Sequence, residues 1–176
     1  MASVQISKEA MLKRVARFKE LKPSRKAFVD SLIPEHQREI FNVIGRGVTE
    51  DPTLSPAIDD ARDFNVTLVR SGPGKGAALH AHPTVEVFIP LSGRWTVYWG
   101  DHGENEVVLE RWDTISVPPG VMRGFRNAGT EDAYLMAILG GTDAGHVAWA
   151  PQVLERAKQT GLALDAHGNL ISVGSM

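Results

Sequence analysis

The chain has no cysteine among its 176 residues. Disulfides, thiolate zinc sites and a cysteine nucleophile are excluded, and any metal site has to be built from His, Asp or Glu. No run of 18 or more apolar residues occurs, and Met1-Ala2-Ser3-Val4-Gln5 lacks a charged segment followed by an apolar stretch. A cytoplasmic protein with no membrane partner is therefore expected. An excess of one charge is missing too. Nineteen Lys plus Arg face 21 Asp plus Glu, a formal net charge of −2, so no nucleic-acid partner is expected. There is no helix-turn-helix segment and no Gly-x-Ser-x-Gly elbow. Gly72-Pro73-Gly74-Lys75-Gly76 lacks the spacing and the following helix of a phosphate loop.

What is present is 43% hydrophobic and 23% charged residues, the profile of one ordinary globular domain. From Ser7 to Leu21, Met11, Val15 and Phe18, with Leu12 and Leu21 beside them, recur at three- and four-residue steps. That period predicts an amphipathic helix capped by Ser7 and ended before Pro23. Eight basic residues between Lys8 and Lys26, against Glu9 and Glu20, read as the solvated face of a docked helix. A second short helix is expected over Arg25 to Leu32, and Pro34 to Gln37 opens a third before the apolar Ile40 to Ile44. Residues 45 to 62 read as loop.

The period then changes. Phe64 to Val69, Ala77 to His82, Val85 to Leu91, Arg94 to Trp99, Glu106 to Arg111, Thr114 to Val117, Val121 to Arg126 and Ala133 to Leu139 are short β-branched and aromatic runs between Gly, Pro, Asn and Asp. Eight strands with no helices between them predict an antiparallel barrel or sandwich. Pro151 to Thr160 closes the chain with a short helix.

His80 and His82 stand two residues apart, so on a strand both imidazoles leave the same face and converge on one point. Glu86, after the break at Pro83, returns a carboxylate to that point. Two His and one carboxylate with open positions suit Fe(II) first and accept Mn, Ni, Co or Zn.

The run Gly74 to Gly93, with Gly, five residues, His-x-His, three residues, Glu, six residues and Gly, resembles the first signature motif of the cupin superfamily at every defining position. Trp112 to Asn127 is similar to the second, with two departures: Trp112 where the family has Gly, and Arg123 where it usually has His as fourth ligand. The resemblance covers roughly residues 62 to 142. It implies an all-β, jelly-roll type antiparallel barrel over 62–142, after a helical and loop extension over 1–61 and before a helix and tail over 143–176. It also implies a site inside the barrel mouth, and cupins are commonly homodimers. A homodimer would cover the apolar N-terminal stripe and the outward Val87, Ile89 and Leu91.

A guanidinium does not ordinarily ligate metal, so three ligands remain. Arg123 either grips a substrate carboxylate or enolate beside the ion, or pairs with Glu86 in a barrel whose metal site has decayed. Taking Ser92-Gly93 as a two-residue turn pairs Pro90 with Trp95, Phe88 with Val97 and Glu86 with Trp99. Phe88, Trp95, Trp99 and, by alternation from Arg123, Phe125 then face inward, forming a wall for an anionic aromatic or enolic molecule. Three functions remain open: an Fe(II) dioxygenase, a metal-assisted isomerase, lyase or decarboxylase, and a non-catalytic small-molecule binder.

Overall fold

The computed structural model describes residues 3–60 and 62–174. The expected boundary at residue 61 and the first two residues of the N-terminus lie outside them. Twelve strands are present among these residues: β1 (Glu39–Ile44), β2 (Phe64–Ser71), β3 (Gly76–Ala81), β4 (Glu86–Pro90), β5 (Trp95–Trp99), β6 (Asn105–Leu109), β7 (Ile115–Val117), β8 (Arg123–Asn127), β9 (Ala133–Gly140), β10 (Ala148–Trp149), β11 (Leu162–Leu164) and β12 (Leu170–Ser172). Two helices, α1 (Lys8–Leu12) and α2 (Pro151–Gln159), accompany them. Each of the eight strands read from the β-branched runs is present, with ends within two residues.

Ten strands form two five-stranded sheets, ordered β1-β2-β9-β4-β7 and β10-β3-β8-β5-β6, while β11 and β12 pair alone. All the strand pairs are antiparallel. The result is a jelly-roll barrel. Burial alternates strictly along β2, β4 and β9, as expected where one sheet face meets a core. Between the sheets Phe88, Trp95 and Phe125 interlock edge to face, with ring centroids 5.1 Å (Phe88–Phe125) and 5.8 Å (Trp95–Phe125) apart.

Two local expectations are corrected. The β4–β5 pairing does not form. β4 is bonded on one edge to β7 and on the other to β9, and β5 to β6 and β8. With both edges of each strand occupied, Ser92-Gly93 carries the chain from one sheet to the other. There the Leu91 and Ser92 amides donate to Tyr134 O, and Ser92 Oγ accepts from the Tyr134 amide. Gly93 has φ +64, and a Cβ there would meet the Cβ of Ala133 at 2.7 Å. The inward residues of β4 and β5 nonetheless face one another, because crossing between layers preserves which side is inside.

The N-terminal extension is less helical than its period predicts. α1 spans five residues, and 3₁₀ turns at Phe18–Glu20, Val29–Leu32 and Pro34–His36 replace the rest. None of the residues of α1 is buried, and a helix without tertiary cover is marginal at this length. Phe18 instead leans on Phe41 and Tyr134, centroids 5.4 and 5.5 Å away. The apolar run from Ile40 is the edge strand β1, paired with β2. α2 begins with Pro151 at its first turn and buries Val153 and Ala157. Its apolar face covers Val29 of the extension and Leu79 of β3.

Candidate metal centre

β3 and β4 lie in opposite sheets, and the short connection between them carries His82. His80 at the end of β3, His82 in the connection and Glu86 at the start of β4 therefore face one another across the barrel. One donor atom from each lies within 4.8 Å of the others. All three side chains are buried, at 5%, 2% and 4% exposure. Two adjacent ligands on one ion at about 2.0–2.2 Å stand roughly 3–3.6 Å apart, so closure onto a cation draws the donors together by up to roughly 2 Å.

The donor atoms are prepared unequally. His80 Nδ1 lies 2.6 Å from Ala78 O. A carbonyl only accepts, so Nδ1 carries the proton and Nε2 keeps its lone pair. Burial, then the neighbouring His82, holds the His80 pKa well below its ordinary value, so this imidazole stays neutral. His82 Nε2 lies 3.3 Å from Glu86 Oε2, and its Nδ1 is buried with no partner. A neutral imidazole, a second buried imidazole with one unpartnered nitrogen and a carboxylate are a donor set that fits a divalent ion.

Arg123 stands opposite His80 across the β3–β8 ladder. Its Nε donates to Glu86 Oε2 at 3.1 Å and its Nη1 to Val121 O at 2.9 Å, while Nη2 is buried without a partner. Burial lowers the Arg123 pKa, and Glu86 opposes the shift. Of the two roles open to Arg123, the pairing with Glu86 is the contact made here. Glu86 Oε2 takes both Arg123 and His82.

A cavity of about 40 Å³ opens onto His80, His82 and Glu86. That is room for roughly three water-sized groups. Of the four aromatics expected around the site, only Phe125 is on the cavity wall. Phe88 and Trp95 are wholly buried in the core behind it, and Trp99 is half-buried beside Arg123 on the neighbouring strand. The wall is completed by residues the sequence did not single out: Phe28 and Arg38 from the extension and Trp149 from β10. Trp149 pairs with His80 across β10–β3, and their rings lie 5.2 Å apart. Its Nε1 donates to Glu50 Oε1 at 2.6 Å, and Glu50 Oε2 accepts from the Val29 amide at 2.6 Å. No motif marks these positions, because they are recruited by topology from segments outside the strand-rich stretch.

A cupin domain family model matches residues 67–139, the stretch that contains all three candidate ligands and Arg123. The match spans under half of the chain and makes the barrel similar to a cupin domain. Solved structures with this fold include the polyketide cyclase of Streptomyces resistomycificus, 14% identical at a TM-score of 0.58 over 76% of this chain and 82% of that one. A cupin 2 domain-containing protein of Halorhodospira halophila is 18% identical at a TM-score of 0.53, over 69% and 76%. The Lactobacillus farciminis oxalate decarboxylase in its formate complex is 15% identical at a TM-score of 0.56, over 80% of this chain and only 36% of that chain. At such identities the likeness is one of fold. No curated protein sequence matches this chain. Among the described residues, no helix is long and apolar enough to cross a membrane.

Proposed function

We propose that this protein holds a divalent metal ion on His80, His82 and Glu86 and acts on a small oxygen-bearing organic molecule, Fe(II) with dioxygenase chemistry being the first assignment. The observation that carries this reading is the convergence of three buried donors on one cavity, with the His80 tautomer fixed and His82 Nδ1 unpartnered. A bound ion would supply Lewis-acid polarisation of a substrate oxygen and, for Fe(II), redox chemistry with dioxygen. Arg123 orients the Glu86 carboxylate, and its buried charge favours an anionic group nearby. Phe125 and Trp149 keep bulk water from the ligands. The cavity volume supports a compact carboxylate or enolate, or the head group of an anionic aromatic molecule. We further propose a homodimer, and a division into an extension over 1–61, the barrel over 62–142 and a tail over 143–176.

One observation favours a second reading. The Arg123–Glu86 ion pair neutralises the only acidic ligand, which suits a barrel that binds its small molecule without metal. Metal analysis of purified protein, followed by oxygen uptake with aromatic acids and enolic ketones, separates the readings. Stoichiometric iron with oxygen uptake, both lost in His80→Ala, is the expected result. Metal with anaerobic turnover assigns an isomerase, lyase or decarboxylase. Ligand binding without metal, unchanged in His80→Ala, overturns the metal centre.

A further inference from the structure

β3 does not run evenly along β8. Ala77 pairs with Phe125 and His80 with Arg123, so three steps on β3 span two on β8. This is a bulge of one residue, directly before a candidate ligand. Three backbone groups of the bulge have partners outside the β8 ladder. Ala78 O accepts from His80 Nδ1 at 2.6 Å, and Leu79 O accepts from the Ala150 amide at 3.1 Å. The Ala78 amide donates to Asp30 Oδ2 at 3.0 Å.

Asp30 comes from the 3₁₀ turn Val29–Leu32 of the extension, 48 residues upstream, and is wholly buried. Arg38 holds it with two contacts, Nη1 to Oδ2 at 3.0 Å and Nη2 to Oδ1 at 2.9 Å, and Nη1 also donates to His36 O at 2.7 Å. Oδ2 accepts from both Arg38 and the Ala78 amide, so the hydrogen bond from Arg38 fixes the acceptor toward which the Ala78 peptide nitrogen points, while Oδ1 meets Arg38 only as an ion pair. The consequence reaches His80 in two bonds. With the Ala78 amide tied to Asp30, its carbonyl is left for His80 Nδ1. A one-residue slip of β3 would pair these groups with β8 and turn His80 to the opposite face.

Resting on the reading of His80 as a metal ligand, we propose that Asp30, braced by Arg38, is a positioning residue for the metal centre: it locks the β3 bulge that fixes the His80 tautomer and aims Nε2 at the ion. Partners that orient a ligating imidazole act on metal affinity by about 10–100-fold.

The test uses the full chain and two double variants. Asp30→Leu/Arg38→Met removes the ion pair at similar volume, a change buried pairs often tolerate, and leaves the Ala78 amide without an acceptor. Asp30→Asn/Arg38→Gln removes the charges but keeps an acceptor for that amide. Long-range ¹H–¹⁵N NMR of the metal-free proteins reads the His80 tautomer, and calorimetry with Zn²⁺ reads affinity. Expected are an Nδ1–H tautomer in wild type, loss of that single tautomer and a 10–100-fold weaker Zn²⁺ affinity in the first variant, and recovery of both to within a few-fold in the second. A folded first variant with unchanged tautomer and affinity makes Asp30 a structural brace only and overturns the proposal. So does an Nε2–H tautomer in wild type, which needs no variant. If the tautomer responds as expected while no protein binds metal, the positioning of His80 stands and the metal-ligand reading fails.

Discussion

Glu50 is the residue whose chemistry is most at odds with its surroundings. Burial pushes its carboxyl up to about 7, against the hydrogen bonds from Trp149 and Val29 that favour the charged form. Below the ordinary value of 4.5 the group is protonated folded or unfolded. Between 4.5 and about 7 the unfolded chain has released the proton and the folded chain retains it. Stability therefore falls as pH rises through that window, by about 3 kcal/mol from this group, and is flat above it. Denaturant unfolding at pH 5 and pH 8 checks the sign, and Glu50→Gln should remove this part of the slope. A Gln offers one acceptor where two donors point, so the same variant releases either the Trp149 indole or the Val29 amide. Trp149 fluorescence in wild type should titrate with a midpoint near 7, and Trp149→Phe should abolish that transition. Arg123 carries a second prediction at this scale. Arg123→His removes a cation from Glu86 and places an imidazole where cupins usually have a fourth ligand. Divalent-metal affinity should rise at least about tenfold, or 1.4 kcal/mol, by calorimetry. An unchanged affinity would mean that the Arg123 charge does not reach the site.

At the scale of elements, the turn before β7 carries a measurable cost. Trp112 has φ +74 and is 62% exposed, with the Arg111 guanidinium 4.8 Å from its ring centroid. Its amide donates to Pro90 O at 3.0 Å, which holds the left-handed conformation in place. Gly is the residue that adopts this conformation without strain. Trp112→Gly should therefore stabilise the protein by about 1 kcal/mol, a rise in Tm of roughly 2–4 °C. The melting curve decides it. The same turn shows what a sequence discloses and what it does not. Trp112 was visible as a departure from the motif, and the positive φ gives the reason the motif has Gly there. The eight strands and α2 were legible because alternation and turn residues are local signals. His80, His82 and Glu86 were legible because their spacing is short enough for one strand and one connection to bring them together. Strand partners were not. A Ser-Gly turn between two apolar runs looks the same whether the strands pair or cross between sheets, and only the saturation of β4 by β7 and β9 decides. Phe28, Arg38, Glu50 and Trp149 were illegible for the same reason: their roles depend on contacts over as many as 99 residues, which no local pattern encodes. The length of α1 failed differently, since its apolar stripe was real but its residues rest on a sheet surface or stay exposed.

For the whole molecule, the outer face of the sheet β1-β2-β9-β4-β7 sets the expectation of self-association. The register aligns Val66 with Ile138 and Val87, and Leu68 with Met136 and Ile89, in two rows across three strands. All six side chains are half-buried on the outward side, and none carries a charge. Beyond this face the N-terminal segment exposes Val4, Ile6, Met11, Leu12 and Val15 at 43% or more. Contiguous apolar surface of this kind is unusual on a monomer. If a two-fold contact buries what remains exposed of the six residues of each copy, at up to about 1 kcal/mol per side chain, the gain is at most about 10 kcal/mol. That is comparable with the roughly 4–15 kcal/mol cost of association, so the N-terminal stripe is needed to tip the balance. Light scattering should accordingly give twice the chain mass of 19.2 kDa for wild type at micromolar concentration. Met136→Lys, in the middle of one row, should give the single-chain mass. Its chain neighbours Leu135 and Ala137 point inward and are buried, so the barrel interior and the metal affinity should be unaffected. A wild type that runs as a monomer, or a Met136→Lys variant that remains a dimer, would show that this face is not where the copies meet.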